Sequence, residues 1–344
     1  MLTNILNSRQ LPPLKDREQM LSILAEEIYG HMPPAPDKLT WQVQEHFFKP
    51  FCAGKATISR VELCCQLPGG EFTFPVYCAV PTAPGKHPFF IHICFRDNVP
   101  DRYMPTEELI DNGFAVLSFC YNDVTTDDGD FSNGLAGVLQ NGSERISTAP
   151  GKLAMWAWAA QRALDYALTL PALDPERSIV CGHSRLGKTA LLAAATDTRF
   201  RFAYSNNSGC SGAAITRDKE GERVKQIYTR FPYWFCENYQ KYMDNEHSMP
   251  CDQHYLVAAI APRFVCVGSA SEDTWADPLS ELLCCAAATP AYEAVGLPGL
   301  VHPNRLPEVG ETMFDGSIGY HLRRGPHYFG REDWLKLISF VNSH

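Results

Sequence analysis

Residues Gly182 to Thr189 read GHSRLGKT, a stretch that could carry out either of two kinds of chemistry. Read as G-x-x-x-x-G-K-T, it matches the loop that wraps backbone amides around nucleotide phosphates. Read as a turn between the apolar RSIVCG and the alanine-rich GKTALLAAAT, it puts Ser184 where an α/β-hydrolase keeps its nucleophile. The phosphate reading fits poorly. Its variable positions hold His183, Ser184, Arg185 and Leu186, which are bulky for a backbone that must close on an anion. Some 180 residues precede the stretch, whereas a P-loop normally opens its domain. Nor does a later apolar strand run straight into a magnesium-binding aspartate, because FVCVGSASED reaches its acid only after a polar turn.

The nucleophile reading makes demands that the chain meets. Gly182, two residues before the serine, lets the backbone reverse sharply without a Cβ collision. Gly187 lies at plus three rather than the plus two of G-x-S-x-G, so the turn is a variant. A helix starting near Leu186 aims its free N–H groups and positive dipole end at Ser184, and the Arg185 N–H is the natural first oxyanion donor. A serine hydroxyl also needs a base and an orienting acid, here in the chain order Ser, acid, His. SASEDTWADP supplies Asp273, on the loop after an expected strand at 263–268, with Glu272, Asp277 and Glu281 as competitors. GYHLRRGPHYFGREDW supplies His327 in a Gly-Pro turn before the last helix, with His321 as its rival.

Such a trio needs a sheet to hold it. DREQMLSILAEEIYG (16–30) has helical spacing and ends at Gly30, while TWQVQEHFF, KATISRVELCCQL and FTFPVYCAV read as strands. HPFFIHICF (87–95) is apolar throughout, as expected of a strand covered on both faces. Then come a helix at TEELIDNGF, a strand at 115–121, a helix at 151–170 with Trp156 and Trp158 packed on the sheet, and a strand at 177–182. After the 187–196 helix, strands follow at FRFAYSN and APRFVCVGSA (261–270), and a helix at 332–342 closes the chain. A hairpin lead-in followed by βα units predicts an α/β-hydrolase fold with a mostly parallel central sheet and helices on both faces. One domain is expected over residues 1–344, with an N-terminal extension and an insertion around 210–250. The acidic NDVTTDDGDFSNG holds Asp123, Asp127, Asp128 and Asp130 but misses the calcium-loop spacing, so it reads as a solvated or substrate-facing loop.

Composition narrows the partners. The 344 residues are 45% hydrophobic and 20% charged, with a net charge of −9 and no basic run, which argues against nucleic acid. Thirteen cysteines without a C-x-x-C read as buried reduced thiols rather than a zinc site, and no cofactor is expected. No segment resembles a secretory leader or a membrane span, so a cytoplasmic protein without a membrane partner is expected.

GHSRLGK resembles the G-C-S-R-x-G-K elbow of the glucuronoyl esterases, carbohydrate esterase family fifteen. The likeness extends to SNNSGCSGAA (205–214), FPYWFCENY (231–239), DQHYLVAAIAPR (252–263), SASEDTWADP (269–278) and the His327 turn, roughly the C-terminal half. The resemblance implies a metal-independent serine carboxylesterase acting on esters of 4-O-methyl-glucuronic acid, the links between xylan side chains and lignin alcohols. It implies that Ser184 is the nucleophile, that Arg185 stabilises the oxyanion with side chain and N–H, and that Lys188 binds uronate hydroxyls. Trp234 and Trp275 match positions near the sugar; Glu222 and Gln226 match positions that bind hydroxyls. Fungal members carry their triad acid where this chain has Asn207, so the acid moves to Asp273, as in some bacterial relatives, and Asn207 becomes a supporting hydrogen-bonder. His183 is expected to point away from the pocket. The expected substrate is a small carbohydrate ester; an acetyl(xylan) esterase acting on sugar acetates is the alternative, ahead of a P-loop nucleotide-binding protein.

Overall fold

The computed structural model describes residues 2–45, 51–96 and 104–344. Its strands are β1 (Lys38–Glu45), β2 (Ala56–Leu67), β3 (Gly70–Pro81), β4 (His87–Cys94), β5 (Ala115–Cys120), β6 (Leu173–His183), β7 (Phe202–Asn206), β8 (Phe264–Ala270), β9 (Thr312–Met313) and β10 (Ile318–Arg323). They form one twisted sheet in the order β1-β2-β3-β5-β4-β6-β7-β8-β10-β9. β1, β2 and β3 pair antiparallel, and β3 meets β5 antiparallel; from β5 through β10 the strands run parallel. Antiparallel lead-in, parallel centre and flanking helices make this the α/β-hydrolase fold.

Burial follows the residue patterns. β4 and β5 are buried at every position, consistent with their unbroken apolar runs, whereas β2 and β3 alternate because only one face is covered. One sheet face packs on the helices Lys152–Ala167, Arg185–Thr196 and Pro278–Glu293. The other packs on Arg331–Asn342, through Trp334, Leu337 and Phe340 against Phe90, Ile179 and Tyr204. Trp156 and Trp158 are fully buried in the first of these helices, and each indole N–H reaches a carbonyl, of Thr125 at 3.2 Å and of Pro34 at 2.7 Å. All thirteen cysteines are free, and all but Cys64 are buried. Among the described residues no helix is long and apolar enough to cross a membrane.

Several elements differ from the sequence reading. The helix expected over 16–30 is α-helical only at Arg17–Leu24, capped by the Asp16 carboxylate, and continues as a π-helical turn to Tyr29. The expected strand from Thr40 reaches Glu45, and its last residues, 46–48, lie outside the described residues. The helices Leu2–Ser8 and Pro278–Glu293 were not anticipated. The region around 210–250 holds the short helix Val224–Arg230 and three 3-10 turns.

β6, β7, β8 and β10 are parallel, so the residues that follow them gather at one rim of the sheet. Ser184, Asn207, Asp273 and His327 all come from those four turns.

Candidate active site

The turn after β6 is tight. Ser184 sits at φ 57° and ψ −127°, between the last strand residue, His183, and the first helical residue, Arg185. A Cβ on Gly182 would lie 2.2 Å from the Leu186 carbonyl oxygen, so only glycine lets the helix fold back this closely. A non-glycine residue in the strained conformation of Ser184 costs about 1–3 kcal/mol. Burial of Leu186 and Leu191 and the Ser184 N–H bond to the Asn206 carbonyl, 2.8 Å, hold the turn in place. The Ser184 carbonyl accepts from Gly187 and Lys188, leaving the N–H groups of Arg185 and Leu186 without intrahelical partners at the helix start.

Two of the competing acids and one histidine fall away on position. His327 Nδ1 lies 2.6 Å from Asp273 Oδ2, and Asp273 is 4% exposed. The same carboxylate accepts from Asn207 Nδ2 at 2.9 Å and from the Ala276 N–H at 3.2 Å. Burial alone would raise the Asp273 carboxyl, but the His327 hydrogen bond and charge, with Asn207 and the Ala276 N–H, outweigh it and hold it below its usual value. Asp277 instead caps the helix Pro278–Glu293, and Glu272 is exposed. His321 lies inside the sheet on the Tyr204 hydroxyl, 2.9 Å away, where burial pushes it down to about 3. His183 does not line the cavity. It packs its ring on His327, centroids 4.4 Å apart, and bonds Asn206 at 2.7 Å. Burial, then the neighbouring His327, pushes it down to about 3, so it stays neutral. The turn carrying His327 is fastened from below. The Arg323 guanidinium pairs with the buried Asp333 at 2.8 Å and donates to the carbonyls of Arg324, Pro326 and Tyr328.

Ser184, Asp273 and His327 line one cavity of about 320 Å³, together with Arg185, Lys188, Glu222, Arg230, Phe231, Trp234 and Trp275. That is the small end of ligand cavities, roughly 300–1,000 Å³. Trp275 is 54% exposed, whereas Trp234 is buried and stacks flat on Phe231 at 3.9 Å. Lys188 is buried, and its ammonium donates to the carbonyls of Ser208 and Cys210. Burial pulls it below its ordinary value, with Glu222 acting the other way. A phosphate-binding lysine would reach over its loop instead; this one turns into the fold. Gln226 lies outside the cavity and caps its own helix by accepting from the Arg223 N–H, so the hydroxyl-binding position inferred for it is not realised.

Two further residues make contacts that the sequence does not reveal. Asp127, part of the acidic loop, pairs with the Arg185 guanidinium. Glu281, weighed only as a triad acid, lies fully buried behind the cavity and accepts from the Gly209 N–H at 2.9 Å and from the Ser269 hydroxyl. Burial raises its carboxyl to about 7 against an ordinary 4.5, the two hydrogen bonds only partly offsetting that. The folded chain therefore holds this proton longer than the unfolded chain does. The stability it contributes is complete below pH 4.5 and is lost as pH rises to about 7, by roughly 3 kcal/mol in all. Glu281→Gln keeps the shape and the Gly209 bond, and donates to the Ser269 hydroxyl instead of accepting from it, so its urea midpoint should lack this fall between pH 4.5 and 7. A mutant slope equal to the wild-type slope would remove Glu281 as the cause.

The comparisons with known proteins agree with one another. Residues 66–296 match the family described as glucuronyl esterase, fungi. A carbohydrate esterase designated MZ0003, from an unknown prokaryotic organism, is 40% identical over 240 residues, 69% of this chain and 55% of that one. The 4-O-methyl-glucuronoyl methylesterase 1 of Wolfiporia cocos is 32% identical over 199 residues, covering 55% of this chain and 48% of its own. The match thus spans about half the length of these two relatives. Among solved structures, a glucuronoyl esterase from Solibacter usitatus superposes with a TM-score of 0.85 at 32% identity, over 96% of this chain and 92% of that one.

Proposed function

The chain belongs to the glucuronoyl esterase family, and we propose that it is a serine carboxylesterase that hydrolyses esters of glucuronic acid or its 4-O-methyl derivative. The observation that carries this reading is the 2.6 Å contact of Asp273 with His327, beside a cavity that both share with Ser184 at its turn. Nε2 of His327 takes the Ser184 proton as the oxygen attacks the ester carbonyl. Asp273 holds the Nδ1 proton, which fixes the tautomer and offsets the charge on the ring. Negative charge collects on the former carbonyl oxygen, where the Arg185 N–H and guanidinium stabilise it. The tetrahedral intermediate collapses; the alcohol leaves with the proton from His327, and the sugar acid stays on Ser184 as an acyl-enzyme. Water, deprotonated by the same ring, attacks that ester, releasing the acid and restoring the serine.

The ammonium of Lys188 already donates to two carbonyls and retains one N–H. In this reading that N–H and the Glu222 carboxylate bind sugar hydroxyls, Trp275 covers a sugar face, and Trp234 forms the wall beside Arg185. Parallel assays with methyl or benzyl glucuronate and with acetylated xylose test the substrate class. The glucuronate esters should show the higher kcat/KM by at least tenfold. A preference for the acetate would make the protein an acetyl esterase.

A further inference from the structure

Asp127 lies 58 residues before Arg185 in the chain, on a loop with no part in the proposed reaction, yet its carboxylate carries one wall of the cavity. Oδ2 accepts from the Arg185 guanidinium and from the Tyr121 hydroxyl at 3.1 Å. Oδ1 accepts from the Trp234 indole N–H at 2.6 Å, and the Asp127 carbonyl accepts from the Tyr233 hydroxyl at 3.0 Å. The loop is itself anchored: the buried ammonium of Lys152 donates to the carbonyls of Thr126 and, at 2.7 Å, Asp130, on either side of Asp127.

The Arg185 guanidinium sits among aromatic rings, 4.6 Å from the centroid of Trp234, 5.4 Å from Phe231 and 5.7 Å from Phe95. Its Nε is buried without a partner among the described residues, and Asp127 is its one carboxylate there. Aromatic faces attract the cation but do not fix its rotation, since they supply no directional acceptor. A carboxylate does, because the planar fork bonds it along set directions. An arginine side chain has about 2 kcal/mol of rotamer entropy to lose, and a donor that is not already in place stabilises an oxyanion far less.

We propose that Asp127 is the positioning residue of this site: it holds Arg185 and Trp234 in one fixed arrangement, so that the guanidinium faces the developing oxyanion before the substrate arrives. Asp127 touches neither substrate nor reacting atoms; it acts through Arg185. Its negative charge partly cancels the field of the guanidinium at the oxyanion, so the benefit is geometric. A misplacement of about 1 Å in such a group can cost about 100-fold in rate.

The proposal rests on the oxyanion role of Arg185, and a double-mutant cycle separates the two. With methyl glucuronate, Asp127→Asn should lower kcat 10- to 100-fold and shift KM less than threefold. Arg185→Met should lower kcat by at least as much. Adding Asp127→Asn to Arg185→Met should change kcat less than twofold, because there is no guanidinium left to hold and the asparagine oxygen still accepts from the Trp234 indole N–H. An equal loss in both backgrounds would mean that Asp127 merely supports the fold and would overturn the proposal while leaving Arg185 its role. An undiminished kcat in Arg185→Met would overturn both. If Asp127→Asn does not fold, Asp127→Glu carries the test: it keeps the charge, moves it by one methylene, and should give an intermediate kcat in the wild-type background only. Wild-type kcat in Asp127→Glu would contradict the geometric account.

Discussion

Ser184→Ala should lower kcat on a glucuronate ester by about 10⁴- to 10⁶-fold, with KM little changed. The hydroxyl is the only group removed. The rest of the cavity, from Lys188 to Trp275, keeps its contacts and still binds the ester. What remains is the transition-state binding at the helix start, which leaves a mutant of this kind roughly 10³- to 10⁴-fold above the uncatalysed rate. Stability should hardly move, because serine and alanine bear the same backbone strain at φ 57°. Steady-state kinetics together with a melting curve check both halves. A mutant that keeps more than a hundredth of the wild-type kcat, free of wild-type contamination, would take the nucleophile away from residue 184.

Asp273→Asn should cost about 10⁴ in kcat, although the new side chain is the same size. The carboxylate accepts from three donors, His327 Nδ1, Asn207 Nδ2 and the Ala276 N–H. An amide has one oxygen and one NH₂, so the NH₂ must face either the Ala276 N–H or both His327 Nδ1 and Asn207 Nδ2, which share Oδ2. If His327 yields, its Nδ1 becomes an acceptor, the proton moves to Nε2, and the ring can no longer take the serine proton. Asn207 thereby acquires a definite role, orienting the Asp273 oxygen that His327 uses. Glu272→Gln is the control, since that residue is exposed, and it should change kcat less than twofold. A small effect of Asp273→Asn paired with a large one of Glu272→Gln would reassign the acid.

Much of this site could be read from residue order because the chemistry forces it. A strand, a glycine, a serine and an alanine-rich helix leave few ways to fold, and the acid and histidine must follow at the ends of later strands. The strands were legible for a similar reason: β2 and β3 alternate in sequence as they do in burial. The helix Pro278–Glu293 was missed because PLSELLCCAAATPAYE is apolar nearly all round and contains Pro290, so it shows no amphipathic period. Leu2–Ser8 is too short for its pattern to be distinguished. Pairings across the fold left no local trace at all. Asp127 in NDVTTDDGDFSNG looks like any solvated acid until the loop closes on Arg185. The glucuronoyl esterase resemblance implies that Lys188 binds sugar hydroxyls; its place on the helix after Ser184 brings it to the cavity wall but does not reveal the carbonyls that claim most of its ammonium.

A fluorophosphonate probe, followed by peptide mass mapping, tests the central claim most directly. The account expects one phosphonyl group per chain, on Ser184, with ester hydrolysis lost in proportion to labelling and the label absent when His327→Ala is treated under the same conditions. Modification of a different residue, or full hydrolysis by protein that is stoichiometrically labelled at Ser184, would contradict it.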